Sequence, residues 1–326
     1  MGQRTGNISG ALKRIDMRTI VMPALLVFLI IFFTITCPGT FLTWYNFKNM
    51  LSQSSYILIA AVGLTFVIIG GGVDLAIGYE MSLVGIVVGM LILTQGWNMW
   101  LAIGVGLLLG ILMGFLNGLI VVKLKVFPLV ITLSTSFVFQ GLSFIISNSR
   151  TFIGFDEVFR FIGQGDVGPI PMCIIIAVVV CAVSYFVLNK TYFGRHVYAL
   201  GGNEEAAKLS GVNTERMRYI LYSICGLCAA LAAIVLTSRA ASSSPSLGPD
   251  TEFTCLSGCI LGGITLDGGE GNISGMIIGI LIITILGNGM QLMYLGTYPQ
   301  YVVKGIVLIA AMGFDVYQKK KKKLAQ

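Results

Sequence analysis

Few residues in this chain have the chemistry to catalyse, and the polar ones gather in one place. The 326 residues contain a single histidine, His196, and 14 acidic residues. There is no HExxH zinc pattern and no GxxxxGK[ST] phosphate loop, so the chain itself carries no visible nucleotide or metal site. Cys225-x-x-Cys228 has no further ligand at metal spacing and lies in an apolar run, where it reads as two small buried side chains. The one long segment dense in both charge signs is Lys190 to Arg218. Within it, Gly201-Gly202-Asn203-Glu204-Glu205-Ala206-Ala207-Lys208-Leu209-Ser210-Gly211 carries the punctuation of a short helix. Asn203 suits an N-cap. Glu204 and Glu205 sit at the positive end of the helix dipole, Lys208 near the negative end. Gly211 stands where a left-handed closing residue is wanted. About two turns of helix are too short to be stable alone in water. The segment must lie on a surface, either of its own subunit or of another protein.

A second pattern, Gly-Gly-x-x-Leu-x-x-Gly, occurs twice, at Gly71–Gly78 and at Gly262–Gly269. Each copy follows an apolar run and precedes another that contains GxxxG. Backbone leaves helical geometry at membrane depth only where protein or a water-filled cavity covers it. Paired breaks in the two halves of a chain point to a transport path; two tight turns at the membrane surface are the other reading. Gly71, Gly72, Gly262 and Gly263 are therefore path candidates. Asp74, Asp267 and Glu270 lie in the breaks, where proton-relay carboxylates are conceivable, but a place at the water boundary is expected. The amides of Asn117, Gln140 and Asn288 sit inside apolar runs. They suit hydrogen bonds either to a polyol in transit or to a neighbouring helix, and with Asp74 they complete the path candidates. Gly106, Gly110, Gly114 and Gly118 form a small-residue face for close helix packing.

The elements that must position these groups are membrane helices. Hydrophobic residues make up 56% of the chain and charged residues 11%, against about 25% charged in soluble domains. The fold class expected is an all-α polytopic membrane protein of about ten spans, some broken at glycine-rich segments. The spans read as Ile20–Cys37, Met50–Gly72, Ala76–Thr94, Asn98–Val122, Val126–Ser147, Ile170–Asn189, Tyr219–Ser238, the short Phe253–Ile264, Asn272–Met293 and Gln300–Tyr317. The net charge of +7 does not indicate nucleic acid. Arg4, Lys13, Arg14 and Arg18 precede the first span and Lys319–Lys323 follow the last, which is the positive-inside pattern. Both termini are expected in the cytoplasm, with the lysine tail near anionic lipid. The organisation is thus a cytoplasmic segment 1–19, one transmembrane domain 20–317 with a cytoplasmic segment 190–218, and a basic tail 318–326.

The run Thr191-Tyr192-Phe193-Gly194-Arg195-His196-Val197-Tyr198-Ala199-Leu200-Gly201-Gly202-Asn203, continuing through Glu205-Ala206-Ala207 to Ser210-Gly211, resembles the membrane permeases of bacterial monosaccharide ABC importers, of the ribose, galactose and xylose type. The resemblance extends to Gly71-Gly72-Val73-Asp74-Leu75, to Leu261-Gly262-Gly263 with Gly268-Gly269, and to Tyr301-Val302-Val303-Lys304-Gly305. It implies a bacterial inner-membrane permease that pairs with a second permease subunit, the same chain or a paralogue. It further implies two cytoplasmic ATPase subunits, which bind the ATP, and an extracytoplasmic sugar-binding protein. Gly201 to Lys208, with Ser210 and Gly211, would then be the surface on which an ATPase docks. The permease would catalyse no bond chemistry and hold no cofactor of its own. Ala76 and Tyr79 stand where many members carry Ser, and Glu80 adds a second acid; the sugar is left open. An ion-gradient-driven secondary transporter is the alternative, and it requires a titratable group at mid-membrane.

Overall fold

The computed structural model describes residues 17–323. The basic residues Arg4, Lys13 and Arg14, and the last three residues of the tail, lie outside the described residues. The chain begins with α1 (Met17–Thr36), α2 (Trp44–Ile69), α3 (Ile77–Leu93), α4 (Met99–Leu124) and α5 (Pro128–Ser147). A segment follows that contains β1 (Phe152–Ile153), α6 (Glu157–Gln164), β2 (Asp166–Val167) and β3 (Ile170–Pro171). Next come α7 (Met172–Lys190), α8 (Tyr192–Gly202), α9 (Glu204–Leu209) and α10 (Thr214–Ala240). The last elements are β4 (Ser242–Ser243), α11 (Thr251–Leu261), α12 (Ile273–Leu292) and α13 (Thr297–Lys323). Six helices, α2, α4, α5, α7, α10 and α12, are long and apolar enough to cross a membrane, and shorter apolar helices accompany them. The only strands among the described residues are two-residue pairings, β1 with β4 and β2 with β3.

Helix limits follow local chemistry. The side chains of Thr43, Asn98, Asn213 and Asn272 accept from free N–H groups at the starts of α2, α4, α10 and α12, satisfying donors that have no intrahelical partner. Pro128 opens α5, where its missing N–H costs nothing. With Asn213 as its cap, α10 starts five residues earlier than the apolar run suggests, so Arg216 and Arg218 ride on the helix ahead of that run. The stretch 148–169, between two of the apolar runs, contains α6 because Phe155 and Phe159 stack at 4.4 Å and are buried. Ser238 locks α6 to the end of α10 by donating to Phe159 O at 2.6 Å and accepting from Gly163 N at 2.7 Å.

Apolar composition is similar along the spans, but their positions differ. In α2 78% of the most apolar window is buried and in α10 72%, against 28% in α5 and in α7. The first two form the centre; the others present Phe137, Ile145, Val178 and Phe186 outward, as lipid requires.

The glycine face of α4 meets α10 of the same chain. A Cβ on Gly110 would overlap Gly226 O, one on Gly114 would overlap Tyr222 O, and one on Gly226 would overlap Gly110 O. The two backbones touch, which only residues without side chains permit. On another side of α10, Gly63 of α2 packs against Cys225 and Cys228, and all seven cysteines are buried and free. Gly114→Leu is expected to lower the unfolding temperature of the detergent-purified protein sharply, by more than the 1–3 kcal/mol, roughly, of ordinary overpacking, because backbone cannot step aside. Gly104→Leu, with open space beside it, should be neutral in the same measurement.

Candidate functional site

The dense polar segment folds as two helices, α8 and α9, not one. Thr191 caps α8 by accepting from Gly194 N at 3.2 Å. Asn203 ends α8 in extended geometry and caps α9, accepting from Ala206 N at 2.9 Å. Gly211 closes α9 at φ +85°, with Gly211 N donating to Lys208 O and Val212 N to Ala207 O. This is the six-to-one and five-to-two pairing of a Schellman end. The helix is one turn and a half, shorter than the two turns expected. Only Ala207 is buried; Glu204, Glu205, Ala206 and Lys208 face outward and Leu209 is 90% exposed.

The residues just before α9 sit against both glycine breaks. A Cβ on Gly201 would overlap Ile69 O at the end of α2 and stand 2.5 Å from Gly269 N. A Cβ on Gly268 would stand 2.8 Å from Gly71 Cα and 2.9 Å from Gly201 O. Gly269 N donates to Ile69 O at 2.8 Å. Three backbone segments therefore touch with no side chain between them: the end of α2, the end of α8 and the loop after α11. Around this junction Tyr198 donates to Gly271 O at 2.8 Å, and the rings of Phe193 and Phe66 lie 6.4 Å apart. Partial burial pushes the Tyr198 phenol up from its ordinary range. Arg218 donates to Glu204 at 2.6 Å and borders the same small space as Gly70, Gly72 and Tyr222. A partly exposed pair of this kind contributes at most about 1 kcal/mol, so it orients α9 more than it stabilises the fold.

The two breaks share a local structure, but one residue out of the register that the sequence pattern suggests. Gly70 and Gly262 end their helices in near-helical geometry; Gly71 (φ +80°) and Gly263 (φ +86°) then turn left-handed. Gly71 N and Gly72 N bond Ile68 O and Val67 O, as Gly263 N and Ile264 N bond Ile260 O and Cys259 O. Gly70-Gly71 thus corresponds to Gly262-Gly263. Gly78 falls inside α3, whereas Gly268 and Gly269 stay in the loop.

The breaks also differ in what they bury. Asp267 and Glu270 are exposed, as expected of a water boundary. Asp74 is not: it is 0% exposed, and so are Glu80 and Asn117. Asp74 accepts from Ala76 N at 2.9 Å, and Asn117 donates to Glu80 at 3.0 Å. The water-boundary expectation for Asp74 fails because α10 and α4 cover the chain after Gly72: Tyr222 donates to Val73 O at 3.2 Å, and Asn117 to Glu80. Asn288 exchanges hydrogen bonds with Asn46 at 3.0 and 2.8 Å, far from either break; its amide is used between α12 and α2. Gln140 lies half-buried on α5. Gly262 and Gly263, with Glu270, Asn272, Asn189 and Tyr198, border a cavity of about 740 Å³ beside the junction.

A family model for the permease component of branched-chain amino acid transport systems matches residues 46–312. The chain is 38% identical over 296 residues to the ribose import permease of Bacillus subtilis, covering 90% of this chain and 91% of that one. The ribose import permease of Haemophilus influenzae is 37% identical over 281 residues, with 85% and 87% covered. The xylose transport system permease of Escherichia coli is 31% identical over 378 aligned positions, with 97% and 96% covered. The chain belongs to this permease family. No solved structure matches it significantly. The resemblance read from Thr191–Gly211 is borne out, and the permease is a multi-pass protein of the cell membrane whose relatives are transport permeases, not enzymes.

In the permease, the residues that sequence reasoning missed at the junction are Ile69, Gly70, Tyr198 and Arg218. Ile69 acts through its carbonyl, which leaves no trace in side-chain type. Arg218 carried a signal, since it is the last charge of the polar segment, but nothing in sequence paired it with Glu204. Gly201 and Gly202 look equivalent in sequence and are not. Gly201→Ala is expected to reduce transport strongly, at least tenfold, with the permease at normal level in the membrane or modestly reduced. Gly202→Ala, which meets nothing within 4 Å, should transport at close to the wild-type rate in the same uptake assay.

Proposed function

We propose that this chain is the membrane subunit of an ATP-binding-cassette importer for a monosaccharide or similar small polyol, and that α9 is the element that takes the push of an ATPase subunit. The sugar class rests on the ribose and xylose relatives. The coupling role rests on one observation: the exposed α9 is joined, through Gly201, to the backbone of both broken helices. Leu209, 90% exposed on the same helix, is the side chain that such a partner would cover. Movement of α9 carries α8 with it, and α8 has no compressible side chains where it meets Ile69 and Gly269. The breaks shift as backbone, and the helices that follow them, α3 and α12, tilt. Alternating access would follow as two such permeases, identical or paralogous, rock together. ATP would be bound by the partner ATPases, and the permease would need no cofactor. A binding protein would deliver the sugar at the opposite end.

In this reading ten helices cross the membrane with both termini in the cytoplasm, and 20–317 is a single transmembrane domain. The end carrying α8, α9 and the breaks faces the cytoplasm. The end where Lys48 pairs with Asp166 at 2.6 Å faces outward. A cysteine at Val167 should react with an impermeant thiol reagent on intact cells, and one at Lys208 only after the membrane is opened; the reverse pattern overturns the orientation.

Leu209→Glu tests the docking. It touches no span, so the variant should reach the membrane at normal level. ATPase subunits should wash off more readily, and uptake should fall at least tenfold. Wild-type retention of the ATPase together with wild-type uptake would overturn the assignment of α9.

A further inference from the structure

The strongest feature outside the junction is the buried acid pair behind the first break. Asp74 and Glu80 are both 0% exposed, and neither is in an ion pair among the described residues. Their donors are two: Ala76 N–H to Asp74 Oδ1 and the Asn117 amide to Glu80 Oε1. Three buried oxygens are left with no hydrogen-bond partner: Asp74 Oδ2, Glu80 Oε2 and Asn117 Oδ1. The last belongs to a neutral side chain of α4, wholly buried, whose other end already holds Glu80. It is an acceptor in want of a donor, and the neighbouring carboxylates, if ionised, can only accept. Two ionised carboxylates in this setting would each lack a counter-charge, a state that buried groups avoid by taking up a proton. A proton on either carboxyl removes one buried charge and turns one of these orphaned acceptors into a donor.

We propose that Asp74 and Glu80 form a proton-binding site inside the permease, the pair holding at least one proton between them at neutral pH, with Asn117 as the third member. The titratable and charged groups facing it come from α10 and α11. From α10 come Tyr222, which donates to Val73 O at 3.2 Å, and the thiol of Cys225; Arg218, further along α10, is engaged with Glu204. From α11, Glu252 stands over Gly78 at the start of α3. The stretches of α2 and α5 beside the site carry no titratable side chain. No group of three or more metal-binding side chains is present among the described residues. The site lies immediately after Gly71 and Gly72, so the segment that leaves the junction is fastened by this proton to α4. The proposal stands whether or not α9 docks an ATPase, and its test uses the permease alone.

Infrared spectra of the detergent-purified permease at neutral pH should contain the carbonyl stretch of a protonated carboxylic acid shielded from exchange, lost or shifted in Glu80→Gln. That amide replaces a protonated acid nearly atom for atom, so the variant should fold. The pH dependence supplies a second readout. A folded state that keeps a proton which the unfolded chain releases loses stability as pH rises, by about tenfold in the unfolding equilibrium per pH unit for each proton. Wild-type unfolding should therefore become easier between neutral and alkaline pH, and Glu80→Gln should flatten that slope. If Glu80→Gln does not accumulate, Asp74→Asn carries the same comparison. Absence of the protonated-acid band, a slope unchanged by the substitution, failure of both amide variants to fold, or stabilisation by sodium or potassium ions that Glu80→Gln abolishes would each overturn the proposal.

Discussion

The structure depends on backbone meeting backbone without side chains between. At the junction, Gly269 N–H reaches Ile69 C=O across the end of α8, and a single methyl group on Gly201 would occupy the space of that carbonyl. Such contact is stiff. Packed side chains can change rotamer to absorb a small displacement, whereas peptide units in contact transmit it. A helix of six residues has little binding surface and no independent stability. A displacement of such a helix reaches larger elements only over a short and incompressible link, and the three residues Gly201 to Asn203 are what join α9 to the junction.

The same device recurs along α4 and α10, where Gly110, Gly114 and Gly226 bring two long helices into backbone contact. Without water, apolar side chains gain nothing from leaving lipid for protein, so close van der Waals fit must hold the helices together. The central α2 and α10, with α4 packed backbone to backbone on α10, therefore form a rigid block, while the breaks at its edge are held by caps and turns. One break has its acids in the open, at Asp267 and Glu270. The other runs beneath the block and buries Asp74 with Glu80 and Asn117. The asymmetry makes the first break the better anchored of the two.

The membrane class, the apolar runs and the punctuation of α9 were legible in the sequence. Each is a local property. A long run without charge has no other stable place than a bilayer or a buried core. Asn203 and Gly211 act on the backbone within four residues of themselves, so their types announce the helix limits. The family likeness was legible for the same reason, since the long run through Thr191–Gly211 is contiguous.

What tertiary structure alone decided is which of these local features meet. The two glycine patterns looked like a repeat in register, yet the turns correspond one residue apart, because φ and ψ rather than letter spacing define the turn. Gly201 and Gly202 differ only in what lies beyond the missing Cβ. Asp74 was expected in water and lies in the interior, because the direction in which the chain leaves Gly72 is set by Tyr222 and Asn117, brought there by α10 and α4. Asn288 and Asn46 are 242 residues apart in sequence and use up each other's amides. Composition determined that this chain lives in a membrane, and local residue types that it carries a short capped polar helix; packing determined that the segment leading into the helix rests on both breaks, since contact between distant backbones leaves no mark on residue type except the absence of a side chain.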